Sequence, residues 1–235
     1  MREVWILTRR ELRAFFDSPS AYIVLSVFLL ITGWFFGSSL FVENVASLQS
    51  VFDLAPVLFM FFIPALTMGT FAEERRAGTI ELLLTLPVRD GQVIAAKLLA
   101  VLLMLLVALG LTGFYGLTIA LLGDPDNGAT LGGYIGLGLL GLACSALGLL
   151  ASSLTRNQIV AFILGFAMIF GLYLMDKVTI FAPGWLAPVL EYLSIDFHYR
   201  NLMRGVIDSR DVLYYLSLTT FAALLTAYHL ARRPE

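Results

Sequence analysis

The sequence predicts an all-α polytopic membrane protein, and three observations carry that reading. Hydrophobic residues make up 59% of the 235 and charged residues only 14%, where soluble domains hold about 25% charged. Six stretches are apolar for roughly the 20 residues that a hydrocarbon layer about 30 Å thick demands of a helix. The Lys and Arg residues gather on alternate loops between those stretches. The same arithmetic excludes other classes. Fifteen Lys+Arg against seventeen Asp+Glu give a net charge of −2, so no global basic field exists to hold nucleic acid. The apolar content excludes disorder. Cys144 is the only cysteine, which excludes a disulfide scaffold.

Along the chain, the first 17 residues predict an interfacial helix. Val4, Trp5, Leu7, Leu12, Phe15 and Phe16 fall on one arc at 100° per residue, and Arg2, Arg9, Arg10 and Arg13 on the opposite one. Ile6 and Glu11 break the pattern. The plainer alternative is a positive anchor that only fixes topology. Pro19 allows the turn into the first span. The six spans run from about Tyr22 to Val42, Leu54 to Ala72, Val93 to Leu122, Leu131 to Leu154, Ile159 to Met175 and Val212 to Leu230. The first is too long for the apolar core of a signal peptide, and no small-residue cleavage site follows it.

Loop charges set the orientation. Arg2, Arg9, Arg10, Arg13, Arg75, Arg76, Arg89, Arg156, Arg232 and Arg233 share one side if six helices alternate, with Lys97 just inside the third span. The loops Glu43–Asp53 and Gly123–Thr130 on the other side carry no Lys or Arg. Both termini are therefore expected in the cytoplasm.

Two connections are more than links. Residues 73–87 put charges first, then Gly78 to break the helix and Thr79 to cap a new one. Leu82, Leu83 and Leu86 share a face, and Pro87 ends it. A short helix lying crosswise, apolar on one face, suits docking to another protein. The alternative is a solvated positive loop. Residues 176–211 are too long for an ordinary connection and too apolar for a solvated one. Pro183, Gly184 and Pro188 cut them into one or two short helices that partly re-enter the outer leaflet. They form either a lid over a pathway, with Trp185, Leu190 and Tyr192 on it, or an anchoring belt.

Several chemistries are missing. No G-x-x-x-x-G-K-[ST] loop occurs, so this chain does not hydrolyse ATP by that route. Gly136-x-Gly138-x-x-Gly141 lies inside a span with no strand before it and is discarded as a dinucleotide site. Gly132, Gly136, Gly141, Ser145 and Gly148 are read instead as positions of close helix approach. His198 and His229 lie on opposite sides, so they cannot share a metal. His198 either shapes an outer gate or is a surface polar group. Lys97 is expected to snorkel. The spans hold no mid-membrane Asp, Glu or His for a proton relay, so ion-coupled transport is disfavoured.

The chain resembles the permease subunit of a type-2 ABC exporter over essentially its whole length. The specific part is residues 73–87, followed by Lys97-Leu98-Leu99, which looks like the family's E-x-x-x-G-T-x-E-x-L-L-x-x-P stretch. Glu74, Gly78, Thr79, Glu81, Leu83, Leu84 and Pro87 hold its motif positions. Residues 198–211, from His198-Tyr199-Arg200-Asn201 onward, are similar to the gliding-motility branch. The resemblance implies one transmembrane permease domain over residues 1–235, with an interfacial helix (1–17), a coupling helix (73–87) and an outer gate loop (176–211). It also implies a bacterial inner-membrane location, a second permease subunit, identical or paralogous, and two copies of a separate ABC ATPase that hold ATP and Mg. No cofactor is expected in this chain. Glu74, Arg75, Arg76, Gly78, Thr79, Glu81, Leu82, Leu83 and Leu86 would contact the ATPase. Trp185, Leu190, Tyr192 and His198 would form the outer gate. The uncharged spans fit export of an amphipathic or lipid-like substrate. Some branches instead transmit force to an auxiliary envelope protein.

Overall fold

The computed structural model describes residues 2–42, 47–79, 89–123 and 126–231. Among them lie nine α-helices and no strands. Helix α1 is Arg2–Asp17 and α2 is Pro19–Phe41, with Ser18 as the single residue between them. Helices α3 (Gln49–Ala77), α4 (Asp90–Leu122), α5 (Asn127–Ser153) and α6 (Gln158–Val178) follow. A 3-10 turn at Thr179–Phe181 leads to α7 (Ala187–Leu193) and α8 (Ile195–Met203), and α9 (Ser209–Ala231) ends the described chain. Helices α2 to α6 are long and apolar enough to cross a membrane. Helix α9 has the length but is less apolar, and does not meet the same test. Helix α3 begins at Gln49, so Asp53, expected in a loop, sits on its first turns. The helix accommodates Pro56 and Pro64 in its interior.

Helix α5 is the hub and touches α3, α4, α6, α8 and α9. Its small residues explain why. A β-carbon on Gly141 would sit 2.0 Å from Leu105 Cδ2 of α4, and one on Gly148 2.2 Å from Thr67 Oγ1 of α3. A β-carbon at either place would overlap the facing side chain, so the glycines let Leu105 and Thr67 pack directly against the α5 backbone. Ser145, fully buried on the same helix, satisfies its hydroxyl on the Gly141 carbonyl at 2.6 Å. By contrast α2 and α6 keep most of their apolar surface facing outward.

Helix α9 runs the full depth of the bundle. At its start Tyr215 donates to the Ile195 carbonyl of α8 at 2.7 Å. Near its end His229 Nε2 lies 3.4 Å from Arg75 Nη1, on the last turn of α3. The bundle thus has an arginine-rich end, holding α1 and the last turns of α3 and α9, and an opposite end, holding α7 and α8.

Candidate functional site

Three rungs fasten α1 to the start of α4 at the arginine-rich end. Gln92 Nε2 donates to Glu3 Oε2 at 3.0 Å, Thr8 Oγ1 to the Ala96 carbonyl at 3.3 Å, and Lys97 Nζ to Glu11 Oε2 at 3.2 Å. The face of α1 toward the protein is therefore Val4, Leu7, Thr8, Glu11 and Phe15. Trp5, Ile6 and Phe16 stand outward. This corrects the arc read from the sequence. Glu11 does not break the helix face but marks its inner side.

Lys97 does not snorkel. Its side chain is 2% exposed, and its ammonium bonds Glu11 Oε2 of α1, Glu74 Oε1 of α3 at 2.9 Å and the Thr70 carbonyl of α3 at 2.8 Å. The Phe71 ring covers it, with Nζ 5.0 Å from the centroid. Arg10 backs the two acids, 2.6 Å from Glu11 and 3.7 Å from Glu74. Two cations and two carboxylates balance, as burial in low dielectric requires. Sequence reading missed this junction because a lysine near a span end has an ordinary explanation. The signal was Glu11, an acid on an otherwise apolar arc.

The last turns of α3 are gripped from α5 as well. Ser152 Oγ accepts the amides of Phe71 at 3.0 Å and Ala72 at 3.1 Å and donates to the Met68 carbonyl at 3.0 Å. Beyond that grip α3 carries Arg75 and Arg76, then stops. Gly78 caps it at φ +70, the left-handed region glycine adopts without strain. Arg76, Gly78 and Thr79 are exposed, and Arg75 is half-buried beside His229. Glu74 turns inward to Lys97. Glu81, Leu82, Leu83 and Leu86, and with them the expected crosswise helix, lie outside the described residues.

Between α1, α2 and α3 lies a cavity of about 700 Å³. Arg10, Glu11, Glu73 and Glu74 form its polar wall, and Phe15, Ala21, Val24 and Leu66 its apolar one. Gln158, the first residue of α6, closes a side by donating to Glu73 at 3.1 Å. The space is therefore polar on one wall and apolar on the other.

At the opposite end the sequence-predicted gate residues part company. Trp185 and Tyr192 are exposed and Leu190 is half-buried. His198 is 1% exposed, which overturns the surface alternative. Its Nδ1 meets Asp211 Oδ1 at 2.6 Å, its Nε2 meets the Tyr192 carbonyl at 2.9 Å, and Tyr214 stacks on the ring at 4.0 Å. Asn201 donates to Asp211 as well. Alongside, Lys177 and Arg200 each bridge Asp176 and Asp196, tying the end of α6 to α8. Tyr199 donates to the Phe52 carbonyl at 3.1 Å. Burial, then the carboxylates of Asp53 and Asp196, push its hydroxyl well above the usual value, so it stays protonated as that bond requires. Of residues 198–211, singled out in the sequence, His198, Tyr199, Leu202, Met203 and Asp211 are buried and form the strut between α8 and α9, while 204–210 are exposed. Among the described residues no group of His, Cys, Asp and Glu side chains is placed to hold a metal ion.

A bundle with five helices long and apolar enough to cross a membrane, among the described residues, and an amphipathic cavity at its arginine-rich end defines a multi-pass membrane protein. The family model described as ABC-2 family transporter protein matches residues 5–231, and the chain belongs to that family. Members are the membrane components of transporters, working with an ABC ATPase subunit. No curated protein matches the chain.

Proposed function

We propose that this chain is the permease subunit of an ATP-driven exporter of an amphipathic or lipid-like substrate, with its arginine-rich end in the cytoplasm of a bacterial inner membrane. The observation that carries the reading is the end of α3. Its last turn presents Arg75 and Arg76 and stops at a left-handed Gly78, directly before the stretch that resembles a coupling helix. Glu81, Leu82, Leu83 and Leu86 then meet the ATPase with Arg76 and Thr79, while Glu74 acts from behind. Helix α9 is the sixth span. Its 23 residues extend about 34 Å, and its two ends touch the two ends of the bundle. Two permeases, identical or paralogous, pair in the membrane over two ATPase copies, which hold ATP and Mg. The outward apolar faces of α2 and α6 meet lipid or the second permease.

The cavity favours cargo over the other reading, force transmission to an auxiliary envelope protein, because its mixed walls suit a headgroup and a chain. Trp185, Leu190 and Tyr192 form the outer lid, and the gliding-motility likeness of residues 198–211 concerns the strut beneath it. The test is ATPase stimulation in reconstituted complexes. Gly78→Pro and Glu81→Arg insert normally and abolish the stimulation that the wild-type permease gives. Unchanged stimulation in both variants contradicts the reading.

A further inference from the structure

We infer that Lys97 is a positioning residue that makes α1, the end of α3 and the start of α4 move as one body when the ATPase engages the end of α3. The inference rests on the permease reading above. An ammonium has three protons, and Lys97 spends all three on acceptors from two other helices, Glu11 of α1 and Glu74 and Thr70 of α3. At 2% exposure no water replaces a lost partner. A shift of either helix against α4 therefore breaks a charged or buried hydrogen bond in a low-dielectric site, which costs far more than the same shift across apolar packing. Apolar contacts slide, whereas this junction transmits. It also explains why an ionic cluster sits where larger apolar side chains would hold the helices together at less desolvation cost.

Position supports direction. Glu74 and Thr70 lie on the last two turns of α3, immediately before Arg75, Arg76 and the Gly78 stop. Glu11 is the last of three rungs along α1. A displacement delivered at the end of α3 thus reaches α1 through the buried Lys97 Nζ, and at the half-exposed rim through Arg10, 3.7 Å from Glu74. Because Arg10, Glu11 and Glu74 also wall the cavity, moving α1 changes the shape of that cavity without any contact between ATPase and cargo.

Hydrogen–deuterium exchange on the complex purified with its own ATPase tests this without knowledge of the cargo. Nucleotide-free protein is compared with protein trapped by ATP and vanadate. In the wild type the exchange of α1 and of the end of α3 changes together. In Lys97→Met the complex still hydrolyses ATP and α3 still responds, but the α1 response shrinks at least about fivefold. Glu11→Met, which keeps the Lys97–Glu74 pair but offers Lys97 no acceptor on α1, gives the same loss at α1 and serves if Lys97→Met does not fold. An α1 response of wild-type size in a folded variant overturns the inference, as does a wild-type α1 that ignores nucleotide. A wild-type chain that brings no ATPase fails the permease reading itself, a result distinct from either.

Discussion

The His198–Asp211 pair shows how much a single buried contact decides in this chain. Both groups are almost fully buried, and the Nε2 of His198 faces a carbonyl that can only accept. Replacing the histidine by phenylalanine keeps the stacking on Tyr214 but leaves the Asp211 carboxylate with only Asn201 beside it. We expect His198→Phe to cost about 3 kcal/mol, read as a fall in the thermal midpoint in detergent. Adding Asp211→Asn removes the stranded charge and recovers part of the loss. An unshifted midpoint in the single variant would show the pair contributes nothing. Neither partner's role was legible in the sequence, where 13 residues separate them. Lys97 was misread for a related reason. Charge and position near a span end are visible in a sequence, but the acids that meet it come from residues 11 and 74.

At the scale of the element, most of what was expected survives, because spans are local. Length and apolarity fix them, and α2 to α6 match the expected stretches to within a turn or two. The small-residue stripe of α5 was equally legible, since close approach needs small side chains whatever the neighbour. The inner face of α1 was not, because its amphipathic arc has two apolar destinations, lipid and protein, and periodicity does not tell them apart. The glycines of α5 can be tested against each other. Gly148→Val must push α3 from α5, and we expect a loss of about 2 kcal/mol or more. Gly138→Ala meets nothing within 4 Å and is expected to stabilise by up to about 1 kcal/mol through helix propensity. Unfolding by denaturant in detergent separates the two, and equal effects would contradict the packing described for α5.

For the whole molecule, the two polar ends divide the work. At the arginine-rich end Lys97 joins α1, α3 and α4, while the opposite end is braced by the ion network of Asp176, Lys177, Asp196 and Arg200 and by His198. The orientation that this division requires is checked by cysteine labelling in intact and inverted vesicles. Cysteines at Asp90 and Asn157 should label from the cytoplasmic side and at Ser47 and Asp126 from the other, with buried Cys144 silent. Labelling of all four from one side would contradict the membrane reading. The central claim, that the end of α3 docks an ATPase, is tested most directly by purifying the tagged chain from its own host in mild detergent. We expect an ABC ATPase to come with it, and Arg76→Glu combined with Glu81→Arg to release it. A wild-type chain that emerges without any ATPase, under conditions that keep it folded, would contradict the account.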